Sequence, residues 1–230
     1  MSYATVQRHM AFTEILSSGV DDGLHRTWAL YWSATRPDCT IYCNHDEVTL
    51  DEVPAPTPAP VTPTGPFGGV PLPIPGKVEA EAFDYGGEGV GYSDSDPGNN
   101  GGQFRGDEGV DIQVVNGDEY YVGWTQPGEW LRYTVDVVEA AAAYDFVVSV
   151  ASPFDFVGSF RIVSGGNDCT DYTSDLSGLV EVPSTGSWRT FIDMSITAGG
   201  TGGLSEGETS LFLCVESSGF NIHAFTMFAR

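Results

Sequence analysis

"YVGWTQPGEWLRYTVDV", residues 121–137, sets two β-forming runs on either side of a Pro-Gly pair. The first run is rich in aromatic and β-branched residues, the second begins an alternating strand, and proline-glycine between them reads as a turn. Alternation places Trp130 and Arg132 on one face of that second strand. Trp124 and Trp130 therefore stand six positions apart around one turn. The stretch raises the question of which tryptophan packs inside and which offers a flat ring to a ligand.

The pattern repeats outward from this hairpin. "YDFVVSVAS", "GSFRIVS", "WRTFIDMSIT" and "SLFLCVES" are short, rich in β-branched and aromatic residues, and often alternate. Glycine-rich stretches such as "GGEGVGYSDSDPGNNGG" and "TAGGTGG" separate the runs. "VVEAAAA" (137–143) has helical composition, but seven residues between strands predict a turn. Many short strands joined by glycine turns predict an all-β fold, a jelly-roll β-sandwich.

Upstream, "VPAPTPAPVTPTGPFGGVPLPIPG" (53–76) carries nine of the fourteen prolines. Such composition favours polyproline II and reads as a semi-rigid spacer. The expected organisation is a β-rich segment 1–53, a Pro/Thr-rich linker 54–73 and a sandwich 74–230. The first segment contains strand-like pieces, "RTWALYWSAT" and "CTIYCNHDEVTLDEV", but is too short for a sandwich of its own.

Composition narrows the partner. Thirty-two acidic residues against nine basic ones give a formal charge of −23, and Lys77 is the sole lysine. Nucleic acid, anionic membranes and sulfated or uronic polysaccharides would be repelled at long range, so the expected partner is neutral or cationic. No apolar run reaches the ~18 residues a membrane span needs. "MSYATVQRHMAFTEILSSG" has no apolar h-region and no small-residue cleavage site, so no signal peptide is expected in it. That leaves a cytosolic protein or a piece whose true N-terminus lies elsewhere.

Four cysteines fall in two sets, Cys39 with Cys43 and Cys169 with Cys214, without a CxxC pair or histidines at zinc spacing. One disulfide on each side of the linker would imply an oxidising compartment. Free buried thiols are the alternative for Cys169 and Cys214.

Catalytic patterns are absent from the sequence: there is no HExxH, GxxxxGK[ST] or GxSxG. Polysaccharide hydrolysis uses two carboxylates flanking the bond, and the nearest arrangement is Glu79 and Glu81 in "EAEAFDY". Two carboxylates on one strand face suit calcium, which prefers several hard oxygen ligands; the alternative is a solvated strand end. Asp94 and Asp96 in "DSDPGNNGG" match part of a calcium loop but lack its terminal glutamate, and a turn is expected. His9, His25, His45 and His223 show no metal-ligand spacing.

From residue 74 onward the chain resembles a family 6 carbohydrate-binding module. The matching stretches, in family order, are "IPGKVEAEAFDYGGEGVGYSDSDPGNNGG", "FRGDEGVDIQ", "YVGWTQPGEWLRYTVDV", "VEVPSTGSWRTF" and "SSGFNIHAF". The resemblance implies a galactose-binding-like jelly roll without catalytic activity, usually appended to a polysaccharide-degrading enzyme of a longer chain and working outside the cell. It implies a sugar held in a loop-edge cleft between Trp124 and Trp188, with hydrogen bonds from Asn221 and from Gln113, where the family often has glutamate. A ring so placed puts its axial C–H bonds against the aromatic faces. The implied ligand is a neutral polysaccharide: a β-glucan such as laminarin, agarose or xylan. Trp130 is then a packing residue. The family also implies a structural calcium at Glu79 and Glu81, completed by an acid or amide where this chain has His223. Residues 1–53 resemble the closing strands of a family 4 or 9 module. The rival readings are a fragment of a multi-modular glycoside hydrolase and a structural cell-wall protein that binds no sugar.

Overall fold

The computed structural model describes residues 64–197 and 199–230. The chain divides into two compact units, Met1–Thr57 and Pro58–Arg230. The pieces expected within 1–53, Cys39 and Cys43 among them, lie outside the described residues.

Two sheets face each other. The first is built on β6 (Trp130–Val137) and β12 (Gly207–Ser217), flanked by β1 (Leu72–Ile74), β8 (Ser159–Ser164) and β10 (Val180–Glu181) in the order β1-β6-β12-β8-β10. Short β3 (Tyr92–Ser93) pairs with β6, and β9 (Ser174–Asp175) pairs with β8. The second sheet runs β11 (Ile192–Ile196), β7 (Tyr144–Ala151), β13 (Asn221–Ala229), β5 (Glu119–Val122), β4 (Ile112–Asn116), with β2 (Gly76–Glu79) also on β13. This is the expected β-sandwich. After Val137, which ends β6, residues 138–143 form an irregular connection and no helix, and Ala141 bridges to Leu204.

Alternation along β6 sorts its side chains as the sequence reading requires. Leu131, Tyr133, Val135 and Val137 enter the core between the sheets, where Phe83, Phe146, Phe160 and Phe225 are also buried. Burial of one such side chain contributes about 1.5–3 kcal/mol. Tyr133 is fully buried, and its hydroxyl donates to the Ala80 carbonyl at 2.9 Å.

Trp130 points to the opposite face of β6. There it packs with Phe212, ring centroids 5.6 Å apart, and with Val163 and the disulfide of Cys169 and Cys214. It is 8% exposed, so this tryptophan is a packing residue on the outer side of the first sheet. Of the two alternatives for Cys169 and Cys214, the structure shows the bonded one.

The sandwich draws in part of the proline-rich stretch. β1 runs parallel to β6, Gly65 bridges to Tyr85, and the Phe67 ring lies 5.4 Å from that of Tyr85. Among the described residues no helix is long and apolar enough to cross a membrane.

Candidate functional site

Trp124 lies two residues beyond the end of β5 and is 48% exposed. Its φ is +50°, a left-handed conformation that is uncommon for a residue with a bulky side chain. The loop on both sides of it is fixed. Gly123 donates its N–H to the Asp111 carbonyl at 2.9 Å, and buried Thr125 donates its hydroxyl to the Phe220 carbonyl at 3.0 Å. The Pro-Gly turn closes as Gln126 N–H donates to Glu129 Oε2 at 2.7 Å. The ring is thus presented by a fixed backbone.

Trp188 is 44% exposed on the loop before β11. Thr185 N–H donates to the Ser152 carbonyl at 2.7 Å, and Arg189 Nη2 donates to the Val114 carbonyl at 2.9 Å. Phe154 meets the Trp188 ring edge-to-face, 5.4 Å between centroids at 87°.

Asn221 joins the two loops. It is 4% exposed and donates from Nδ2 to the Trp188 carbonyl at 2.6 Å. Its Oδ1 lies against Gly123: a Cβ added there would fall 2.7 Å from it. One amide therefore touches the residue before Trp124 and the backbone of Trp188. Gln113, on β4, pairs in register with Tyr121, two residues before Gly123. Its Nε2 donates to the Gly101 carbonyl at 3.2 Å and its Oε1 accepts from Val114 N–H at 2.9 Å. The four expected residues lie toward one end of the second sheet's strands, with the amides partly engaged in holding loops.

Phe154 was not found by sequence reasoning. It lies in "SPFDFVG" (152–158), where it, Phe156 and Val157 are all exposed. The loop is braced: Ser152 Oγ donates to the Gly219 carbonyl at 2.7 Å, and Phe156 N–H to the Val182 carbonyl at 3.0 Å. Two exposed phenylalanines in one loop were the available signal. Its link to Trp188, 34 residues on, exists only in the fold.

Glu79 and Glu81 sit at the end of β2 and just beyond it, beside β13. The Oε2 atoms of both are buried and have no hydrogen-bond partner. Burial, with the charge of Glu79 adding to it, pushes the Glu81 carboxyl up to about 7. Lys77 Nζ lies 2.6 Å from Glu79 Oε1, and His223 Nε2 lies 3.8 Å from Glu79 Oε2. Buried carboxylate oxygens without partners are costly, so these side chains fit a cation.

The "DSDPGNNGG" segment forms bends, as expected of a turn, with Asp96 N–H donating to Asp94 Oδ1 at 3.0 Å. Carboxylate oxygens of Asp94, Asp96 and Asp111 come within 4.8 Å of one another. Burial, with Glu129, Asp111 and Asp96 nearby, pushes Asp94 up to about 7. The cleft of about 550 Å³ beside them, lined by Glu88, Asp107 and Glu108 among others, is distinct from the tryptophan-bearing edge.

A two-sheet β-sandwich carrying exposed aromatics on braced edge loops has the architecture of a carbohydrate-binding module. The family model for "Carbohydrate binding module (family 6)" matches residues 100–228, more than half of the chain, and the chain belongs to that family. Among solved structures, a family 6 module from Clostridium stercorarium in complex with cellobiose is 19% identical, with a TM-score of 0.50, over 70% of this chain and 99% of that one. A β-1,3-glucan-binding family 6 module from Bacillus halodurans is 20% identical, TM-score 0.48, over 70% of this chain and 100% of that one. At 19% identity the likeness to the Clostridium stercorarium module is one of fold. No curated protein matches the chain.

Proposed function

We propose that this module binds a neutral polysaccharide, a β-glucan such as laminarin, agarose or xylan, between Trp124 and Trp188, with Asn221 and Gln113 hydrogen-bonding its hydroxyls. The observation that carries the reading is the Asn221 amide, which lies against Gly123 and bonds the Trp188 carbonyl, tying two half-exposed tryptophans to one buried group. Preorganised aromatic faces lower the entropic cost of holding a sugar ring. The charge of −23 supports a neutral ligand over an anionic one. Each donor amide keeps one N–H beyond those used within the fold.

Binding of this kind acts by effective concentration, keeping a tethered catalytic partner beside its substrate. The Cys169–Cys214 disulfide supports an extracellular setting. A divalent cation at Glu79 and Glu81, calcium being the expectation from sequence, would satisfy the two buried Oε2 atoms that have no hydrogen-bond partner.

A polysaccharide array followed by affinity electrophoresis tests the reading. Trp188→Ala and Trp124→Ala should each lower retention on the best array ligand by on the order of 2 kcal/mol, with unchanged far-UV circular dichroism. Retention unaltered by both substitutions would remove the proposed site. Reducing-sugar release from laminarin, agarose or xylan would support the hydrolase reading instead.

A further inference from the structure

We infer that the loop 152–158 is an extension of the sugar site, with Phe154 and Phe156 as stacking faces for residues of the polysaccharide beyond the ring held at the tryptophans. The inference rests on the proposed Trp124–Trp188 site. It assigns the ligand of that site to extended chains of uncharged sugars, rather than to single sugars or disaccharides.

The loop leaves directly from the site. β7 ends at Ala151, which pairs in register with Asn221, and the chain then crosses to β8 in the first sheet. The Phe154 ring stands 5.4 Å from that of Trp188, so apolar surface continues from one loop onto the other. On its far side Phe154 converges with Val157 over Gly219. Phe154 Cδ2 and Val157 Cγ1 lie 3.5 and 3.4 Å from the point where a side chain at 219 would begin. An apolar strip thus runs from Trp188 through Phe154 to Val157.

Phe156 is 60% exposed, the most exposed aromatic residue among the described ones. Its φ is +53°, within a few degrees of that of Trp124. A left-handed backbone is costly to a bulky side chain, and a ring in solvent brings the fold no packing in return. Exposed apolar surface on a strained backbone marks a place of contact with something else. The backbone there is also held. Ser217 donates its hydroxyl to the Val157 carbonyl at 2.6 Å, and Val182 donates its N–H to the Gly158 carbonyl at 2.9 Å. Stacking on a surface already held in place costs little ordering.

The chemistry of the loop defines what it takes. Its polar groups are engaged within the fold: the Asp155 carboxylate accepts the Ser184 N–H at 3.1 Å, and the Pro153 carbonyl accepts the Ser184 hydroxyl at 3.3 Å. What it turns outward is mainly aromatic. Aromatic faces receive the C–H face of a sugar ring and give nothing to a charged substituent that must shed water. The loop therefore adds affinity with chain length, while the amides at the tryptophans read hydroxyls.

Calorimetry on the whole chain tests this with disaccharides and hexasaccharides of the laminari-, neoagaro- and xylo- series. Wild type should bind the hexasaccharide of its preferred series more tightly than the disaccharide. Phe156→Ala should weaken the hexasaccharide by roughly three- to tenfold, leave the disaccharide unchanged and keep the far-UV spectrum. Phe156→Tyr should restore the hexasaccharide, and Trp124→Ala should weaken both lengths. Hexasaccharide binding unaltered by Phe156→Ala, or an equal loss at both lengths, would overturn the extension while keeping the tryptophan site. A Phe156→Ala effect confined to oligomeric state in sedimentation would also overturn it, making the loop a contact between copies. No binding of any series by wild type, or binding untouched by Trp124→Ala, would overturn both readings.

Discussion

At position 123 a side chain has nowhere to go. A Cβ there would lie 2.7 Å from Asn221 Oδ1 and 3.1 Å from the Tyr121 ring. Gly123→Ala should therefore displace the Asn221 amide and, through it, the Trp188 loop, lowering polysaccharide retention more than it lowers thermal stability. Paired retention gels and melting curves check this. Phe154→Ala should remove the edge that steadies the Trp188 ring, weakening retention by about 0.5–1.5 kcal/mol with little change in melting temperature. Glycine, asparagine and tryptophan at 123, 221 and 188 were legible as a motif. That the asparagine amide bonds the tryptophan backbone was not, because the two residues are 33 positions apart and meet only through the pairing of both β13 and β11 with β7.

Among elements, the segment 99–109 carries two adjacent left-handed residues and one strong anchor. Phe104 and Arg105 both adopt left-handed φ, +47° and +48°. That geometry drives the Arg105 guanidinium inward, where it donates to the carbonyls of Glu81, Phe83 and Asp84 and pairs with Glu108. It also lies 3.5 Å from the Phe83 ring centroid. Five donors in a planar fork explain why arginine, and not lysine, serves here. Arg105→Lys should leave carbonyls unsatisfied and Glu108 poorly paired, destabilising the fold by about 3–5 kcal/mol, measured by urea unfolding. The strands of "WLRYTVDV" were readable because alternation is a local signal. In the sequence Arg105 is legible only as part of "FRGDEGVDIQ", since its partners at 81–84 are brought to it by tertiary structure.

For the whole molecule, two stability terms have opposite chemical origins. Reducing the Cys169–Cys214 bond, whose ends are 45 residues apart, should cost roughly 4 kcal/mol by loop-closure entropy. It should also uncover Trp130, so reductant should lower the melting temperature and shift tryptophan emission to the red. The second term is pH. Asp94 titrates near 7 in the folded protein against an ordinary 3.8. Between those values the unfolded chain holds fewer protons than the native one, so stability falls as pH rises through the window. The raised Glu81 carboxyl adds to the same slope, so Asp94→Asn should reduce it and leave the Glu81 share, and melting curves from pH 4.5 to 8 should show it.

The conformation of Trp124 has an evolutionary consequence. A left-handed φ costs a non-glycine residue about 1–2 kcal/mol, and the same backbone is free to glycine. Trp124→Gly should thus fold at least as stably as wild type while losing retention on polysaccharide. If so, natural selection has kept a residue that the fold alone would discard, and position 124 marks where stability and recognition pull in opposite directions.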